Sequence, residues 1–177
     1  LQDKLYIEQL NEAISLSEKT ETGKYAPFFS LSNIKGEKIT RSSEDFKKKN
    51  LLINFWASWG DSISNHQSNT ELKEIYQKYK KNKHIAMLGI SLDMDKQEWQ
   101  DAIKRDTLNW EQVCDFGGLN SEVAKQYAIK QVPSNILLSA DGKILAKNLK
   151  GEQLKKKIEE VVTAAEEKEK QDNKKKK

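Results

Sequence analysis

The sequence contains a single cysteine, Cys114, and only two histidines among its 177 residues. One cysteine excludes an internal disulfide and a cysteine-rich metal site. Two histidines add too few ligands for a dedicated transition-metal centre, so we expect no metal and no cofactor. No apolar run approaches the ~18 residues that a membrane-spanning helix needs. The chain begins at Leu1 without a signal-like apolar stretch, and we expect any targeting segment to have been removed.

Neither positive nor negative charge is present in large excess. The 31 Lys and Arg residues nearly balance the 27 Asp and Glu residues, which leaves a net charge of +4 at pH 7. This excess is too small to indicate nucleic-acid binding, and no patch of interleaved aromatic and basic residues accompanies it. A composition of 36% hydrophobic and 33% charged residues is typical of a soluble globular protein with a heavily charged surface.

Apolar periodicity divides the chain into three parts. Residues 1–22 are predicted to form a helical extension, with an apolar face made by Tyr6, Leu10, Ala13 and Ile14. Residues 23–165 hold the remaining apolar runs and form one domain. Residues 166–177 cannot bury apolar surface and are expected to be disordered or the frayed end of the last helix.

The strand and helix pattern of the domain indicates an α/β fold. Leu51–Trp56 and His84–Leu92 are apolar runs typical of strands buried on both faces of a sheet. The segment between them, Ser62–Lys80, has helical periodicity, and such a strand–helix–strand unit forms a right-handed parallel pair. Ser42–Asp45 is predicted to cap a short helix. The Asp141-Gly142 pair predicts a hairpin turn.

Three stretches, in this order and spacing, resemble the thioredoxin-like superfamily. They are "GKYAPFFSLSNIKGEKI" (23–39), "LLINFWASW" (51–59) and "QVPSNILLSADGKILAK" (131–147). They are most similar to the TlpA/ResA-type thiol–disulfide oxidoreductases of the bacterial envelope, with their AhpC/TSA relatives. The resemblance implies a mixed central sheet with helices on both faces, an N-terminal hairpin and an insertion of about 35 residues, Asp95–Lys130. It also implies a periplasmic or lipoprotein location and a cis-proline at Pro133.

The sequence departs from this family at its redox motif. Family members have Trp-Cys-x-x-Cys, whereas Trp59 is followed here by Gly60, Asp61, Ser62 and Ile63. Disulfide exchange needs an attacking thiolate and a second sulfur that resolves the mixed disulfide. We therefore predict no catalytic residue at the vacant positions 60 and 63. We expect position 60 to be exposed and Ile63 to be buried in the space of the second cysteine.

A peptide-binding surface could survive without sulfur. In the family pattern the cis-proline faces the start of the helix, and the residue before it offers backbone hydrogen bonds to an extended peptide. We use "vestigial groove" for the surface that the corresponding residues would form: Trp59, Gly60, Asp61, Ser62, Val132 and Pro133. Whether Trp59 borders this groove or belongs to the core stays open. Main-chain pairing needs no catalytic group, so the sequence favours a non-catalytic module that binds an extended peptide or a protein.

Two further interpretations are weighed against this one. Cys114 could act as a nucleophile together with an external thiol, but free cysteine usually behaves as a small hydrophobe, and Asp115 should raise its pKa. The chain could also be a structural domain of a larger lipoprotein, linked through residues 1–22, with a lipid anchor in the precursor.

The two histidines add little to these interpretations. Ser62 and His66 are four residues apart and could share a helix face, which would suggest a hydrolase with Asp61. No Gly-x-Ser-x-Gly motif accompanies them, and we interpret His66 as a surface residue. His84 opens a strand and is expected to be structural.

Overall fold

A mixed sheet of seven strands forms the centre of the protein. The computed structural model describes residues 2–60 and 62–175, and within them the sheet has the strand order β2-β1-β5-β4-β3-β6-β7. The strands are β1 (Ser30–Asn33), β2 (Lys38–Thr40), β3 (Asn50–Trp56), β4 (Ile85–Ser91), β5 (Glu111–Cys114), β6 (Ser134–Leu138) and β7 (Ile144–Lys147). The helices are α1 (Gln2–Lys19), α2 (Ser62–Tyr79), α3 (Lys96–Arg105), α4 (Glu122–Gln126) and α5 (Gly151–Lys175), with a 3-10 turn at Gly118–Asn120.

The central strands β3, β4 and β5 are parallel, and the strands outside them are antiparallel. β3 pairs with β4 over its full length, and β4 pairs with β5. On the outer sides, β6 runs antiparallel to β3 and β1 runs antiparallel to β5. The predicted parallel pair and the α/β class with a mixed central sheet are confirmed.

Both faces of the sheet are covered, as the apolar runs predicted. Successive side chains of a strand point to opposite faces, so Phe55 packs in the core layer that contains α4 residues. Leu52 and Trp56 pack in the other layer, against α2, α3 and α5. All seven residues of β3 are buried, which explains why five of them are apolar and why apolar and polar residues do not alternate along the strand.

The last helix is longer than its apolar stripe. The predicted segment 152–165 continues as α5 through Lys175, so residues 166–175 are helical, while 176 and 177 lie outside the described residues. Glu169 bridges this extension to the domain: one carboxylate oxygen lies 2.7 Å from Lys83 Nζ, and the other 3.3 Å from His84 Nε2. His84 therefore has a structural contact at the start of β4.

The N-terminal helix is attached to the domain mainly through its end. Tyr6, Leu10 and Ile14 on its apolar face are all exposed. Thr20, directly after α1, is fully buried, and its hydroxyl oxygen accepts a hydrogen bond from Lys147 Nζ at 3.1 Å. None of the described helices combines the length and the hydropathy needed to cross a membrane.

The short helix expected after Ser42 is absent from the described residues, and turns replace it. The guanidinium of Arg41 donates to the carbonyl oxygens of Phe46 and Lys49 at 2.5 and 2.6 Å, which ties these carbonyls into a loop. Lys48 has a φ of 61°, in the left-handed region that helices do not contain. The prediction that Ser42–Asp45 caps a short helix is therefore wrong.

Candidate functional site

The carboxyl ends of β3, β4 and β5 meet at one edge of the sheet because the three strands are parallel. Segments that follow such strand ends often form binding sites in α/β proteins. After β3 the chain runs through Trp59 and Gly60, and α2 begins at Ser62. Pro133 reaches the same edge from the other side, since the next residue, Ser134, pairs with Phe55 near the end of β3.

The structure therefore brings four residues of the vestigial groove to one edge: Trp59, Gly60, Val132 and Pro133. The peptide bond between Val132 and Pro133 is cis. Asp61 lies outside the described residues, and Ser62 is described only as the first residue of α2.

The two tryptophans near the site have different environments. Trp56 is 3% exposed, and its indole Nε1 donates to Gln112 Oε1 at 3.0 Å. Gly89 on β4 makes room for this bond, because a Cβ at that position would overlap the amide of Gln112. Trp59, by contrast, is 51% exposed. Trp56 thus belongs to the core, and the open question about Trp59 is answered in favour of the surface.

The prediction that Ile63 is buried is wrong, since its side chain is 68% exposed. The reason is the phase of α2. Leu72 and Ile75 carry the buried face of this helix, and Ile63 precedes Leu72 by nine residues. Nine residues correspond to about 900°, or two and a half turns, which places Ile63 on the side of α2 opposite Leu72.

A buried carboxylate that sequence reasoning missed supports the loop before α2. Asp93, two residues beyond the end of β4, is fully buried. Its carboxylate accepts hydrogen bonds from the amide and the hydroxyl of Ser58 and from the hydroxyl of Ser91. These donors satisfy a charge that would be costly to bury alone. An acidic residue directly after a long apolar strand was the available signal.

Cys114 lies behind the site rather than in it. The side chain is 2% exposed, and Sγ lies 3.5 Å from the carbonyl oxygen of Asp93. Burial, above all, raises the pKa of the Cys114 thiol to about 11, while the amide of Phe116 opposes the shift and Asp115 adds to it. The expectation that Asp115 raises the pKa of Cys114 is confirmed, although burial raises it more. A buried, protonated thiol is a poor nucleophile at neutral pH.

A cavity of about 550 Å³ opens beside Pro133, between α2 and the start of α5. Leu72 and Leu154 form its apolar wall, and His66 lies at its rim. Glu71 also lines it, and burial raises the pKa of this carboxyl, opposed by Lys155 and by the backbone amide of Gly151. The volume falls within the range of small-ligand pockets.

Comparison with known proteins identifies relatives over most of the chain. A family model described as thioredoxin-like matches residues 47–144. The thiol-disulfide oxidoreductase ResA of Bacillus cereus is 32% identical over 146 residues, which is 82% of this chain and 79% of the relative. The thioredoxin-like protein YneN of Bacillus subtilis is 28% identical over 126 residues, 70% of this chain and 69% of the relative.

Two solved structures from Bacteroides are also similar. One is described as the C-terminal domain of a protein assigned as a thiol-disulfide oxidoreductase from Bacteroides thetaiotaomicron. It is 78% identical and has a TM-score of 0.81, covering 82% of this chain and 99% of that structure. The other is a thiol-disulfide oxidoreductase from Bacteroides fragilis. It is 59% identical with a TM-score of 0.76, covering 78% of this chain and 99% of that structure.

Proposed function

Since the chain belongs to the thioredoxin-like family and is homologous to ResA-type thiol-disulfide oxidoreductases, we propose that it is a member without thiol–disulfide exchange. In this proposal the protein retains the fold and uses the vestigial groove to bind an extended segment of a partner protein. The family relationship supports the fold and the place of the groove, whereas the loss of exchange rests on this chain's own residues.

The observation that carries the proposal is the absence of sulfur from both redox positions. In this proposal Gly60 and Ile63 correspond to the two cysteines of the family's redox motif, and neither side chain can attack a disulfide or resolve a mixed one. The only thiol of the chain, Cys114, is buried and has a raised pKa. This burial also argues against the alternative in which Cys114 and an external thiol perform the reaction.

Binding of an extended segment is supported by the exposed aromatic side chain and the main chain that lie at this edge of the sheet. Trp59 offers an exposed aromatic surface next to Gly60, and tryptophan is among the side chains that most often dominate binding energy. Val132 and Pro133 come immediately before β6, so a segment that lies along them can pair with the main chain in the manner of an added strand.

We propose further that the protein acts in the bacterial envelope as the C-terminal domain of a larger protein. The support is the 78% identical structure, which is described as a C-terminal domain. In this arrangement, residues 1–22 link the thioredoxin-like domain, residues 23–165, to the preceding part of the chain. The exposed apolar face of α1 is compatible with such a link.

An insulin-reduction assay with dithiothreitol tests the loss of exchange. We expect the protein to add nothing to the uncatalysed rate, and the Cys114→Ser variant to behave in the same way. A rate comparable to that of a thioredoxin-like enzyme with both cysteines would overturn this part of the proposal. Catalysis by the parent that is lost in Cys114→Ser would favour the enzyme alternative.

A selection of phage-displayed 12-residue peptides on the immobilised protein tests the binding surface. We expect peptides whose affinity falls about tenfold or more in Trp59→Ala, since aromatic hot spots contribute on this scale. Phe28→Ala is the matched control, because Phe28 is an exposed aromatic residue, at 70%, outside the vestigial groove. Equal losses in both variants, or no selected peptide, would contradict the proposal.

A further inference from the structure

A second cavity of about 260 Å³ lies beside Gly60, between α2 and the end of α3. His66, Asn69 and Lys73 line it from α2, and Arg105 and Asp106 line it from the end of α3. We call it the Lys73 pocket. The vestigial groove and the Lys73 pocket share Gly60, so a segment bound in the groove can extend a side chain into the pocket.

One wall of the pocket consists of residues that recur at helical spacing along α2. Asn69 follows His66 by three residues and Lys73 follows it by seven, so the three side chains share one face of α2. The helix turns this polar face toward α3, while its apolar residues Leu72 and Ile75 face the core. The position of Lys73 is therefore determined by the packing of α2 and not by a flexible loop.

The charges in the Lys73 pocket do not cancel. The guanidinium of Arg105 holds the carboxylate of Asp106 through two contacts, Nε to Oδ1 at 2.9 Å and Nη2 to Oδ2 at 3.1 Å. Asn69 Nδ2 lies 3.4 Å from the same carboxylate. Lys73 is half-buried and makes no ion pair within the residues that the structure describes. Among the described residues that line the pocket, the pairing of Arg105 with Asp106 leaves the ammonium of Lys73 without a counter-charge.

We propose that the Lys73 pocket receives a carboxylate from the partner segment that occupies the vestigial groove. A half-buried ammonium favours an anionic acceptor, and hydrogen bonds between charged partners are stronger than neutral ones. The volume of about 260 Å³ suits one short acidic side chain, not a larger ligand. This inference rests on the proposed function, and it deepens it by naming the partner as acidic.

The test uses the peptides selected on the parent protein, each paired with a version in which every Asp and Glu is replaced by Asn and Gln. We expect the replacement to weaken binding to the parent about tenfold or more, and to have little effect on binding to Lys73→Gln. Lys80→Gln is the control, because Lys80 lies just beyond α2, exposed, with Gln77 as its hydrogen-bond partner. Thermal melting confirms that both variants are folded.

The outcomes separate this inference from the proposed function. If the selected peptides depend on Trp59 but bind equally well after replacement of their acidic residues, the inference of an acidic partner is overturned. The proposal that the vestigial groove binds an extended segment then still stands. An acid dependence that persists unchanged in Lys73→Gln also overturns it, because the carboxylate then binds elsewhere. If no peptide binds at all, both proposals fail.

Titration with sodium acetate and with inorganic phosphate distinguishes a carboxylate site from a site for a free anion. Backbone amide shifts at Gly60 and Lys73 report on the pocket. We expect acetate to shift both amides in the parent and in Lys80→Gln, but not in Lys73→Gln. A response to phosphate at concentrations where acetate has no effect would overturn the inference in favour of a phosphate site.

Discussion

The hydroxyl of Ser58 donates to Oδ1 of Asp93 over 2.6 Å, which joins the segment before Gly60 to the segment after β4. The amide of Ser58 donates to the same oxygen at 3.0 Å, and the hydroxyl of Ser91 donates to Oδ2 at 2.6 Å. Since Asp93 is fully buried, these bonds hold Trp59 and its neighbours at the sheet edge without any contribution from sulfur.

We expect Asp93→Ala to lower the free energy of unfolding by about 3 kcal/mol, because it leaves buried donors unsatisfied. Ser58→Ala removes one hydroxyl donor and should cost about 1 kcal/mol. Urea denaturation followed by tryptophan fluorescence measures both. The control is Asp101→Ala, whose carboxylate is exposed on α3 and whose loss should cost less than about 0.5 kcal/mol. An Asp93→Ala variant as stable as this control would contradict the structural role of Asp93.

The raised pKa of Cys114 predicts a loss of stability at alkaline pH. The buried thiol keeps its proton up to a pKa of about 11, whereas an unfolded cysteine releases it near ~8.5. Between these values the folded state binds more protons, so the free energy of unfolding falls as pH rises, on the order of 3 kcal/mol for this group. Its stabilising effect is complete below the unfolded pKa.

The measurement is urea denaturation at several pH values from 7 to 11, on the parent and on Cys114→Ser. Lysines and tyrosines titrate in both proteins, so the difference between the two curves isolates the thiol. We expect Cys114→Ser to fold and the difference to shrink as pH rises above ~8.5. A constant difference across this range would show that the thiol is not buried in solution.

Arg41 connects two parts of the fold that are distant in sequence. Its guanidinium donates to the carbonyl oxygens of Phe46 and Lys49, and also to those of Ser139 and Ala140 in the turn between β6 and β7. We expect Arg41→Met to lower the free energy of unfolding by about 2–3 kcal/mol, because several carbonyls lose a charged donor.

Arg41→Lys should recover only part of this stability, since an ammonium cannot reproduce the planar fork of donors. Lys38→Met, at an exposed position of β2, controls for the loss of a positive charge. Thermal denaturation of the four proteins gives the order of stability. If Arg41→Met melts at the same temperature as Lys38→Met, the bridging role of Arg41 is refuted.

The central architecture could be predicted from the sequence because its signals are local. β3 and β4 have seven residues each, most of them apolar, and a helical segment separates them. Burial on both faces follows directly from such runs. The Asp-Gly pair likewise determined a turn from two residues alone.

The details of the site could not be predicted, because they depend on contacts between distant segments. The exposure of Ile63 follows from the rotational phase of α2, which is determined by the packing of Leu72 and Ile75 on the sheet. The roles of Asp93 and Arg41 depend on bonds that span 35 and up to 99 residues. A family pattern gives the order of such residues but not the direction in which each side chain points.

Placing cysteines at positions 60 and 63 tests whether the start of α2 has the geometry of a Cys-x-x-Cys site. In the double variant Gly60→Cys/Ile63→Cys, we expect a disulfide to form under mild oxidation without loss of the fold. A disulfide requires Cα atoms about 4.4–6.8 Å apart, and residues one turn apart at a helix start meet this condition. Because Ile63 is exposed, its replacement removes no core packing and should cost less than about 0.5 kcal/mol.

Mass spectrometry of the double variant should show a loss of two hydrogens, with the bond mapped between positions 60 and 63. The variant Gly60→Ser/Ile63→Ser controls for the substitutions themselves, and Cys114 in every variant controls for oxidation of a buried thiol. We expect weak exchange activity, since the carboxylate of Asp61, which follows Gly60 in the sequence, opposes formation of a thiolate beside it. Neutralising it with Asp61→Asn in the same background should raise the rate of insulin reduction. A double variant that remains reduced under the same oxidation would mean that this turn does not have the geometry of a Cys-x-x-Cys site.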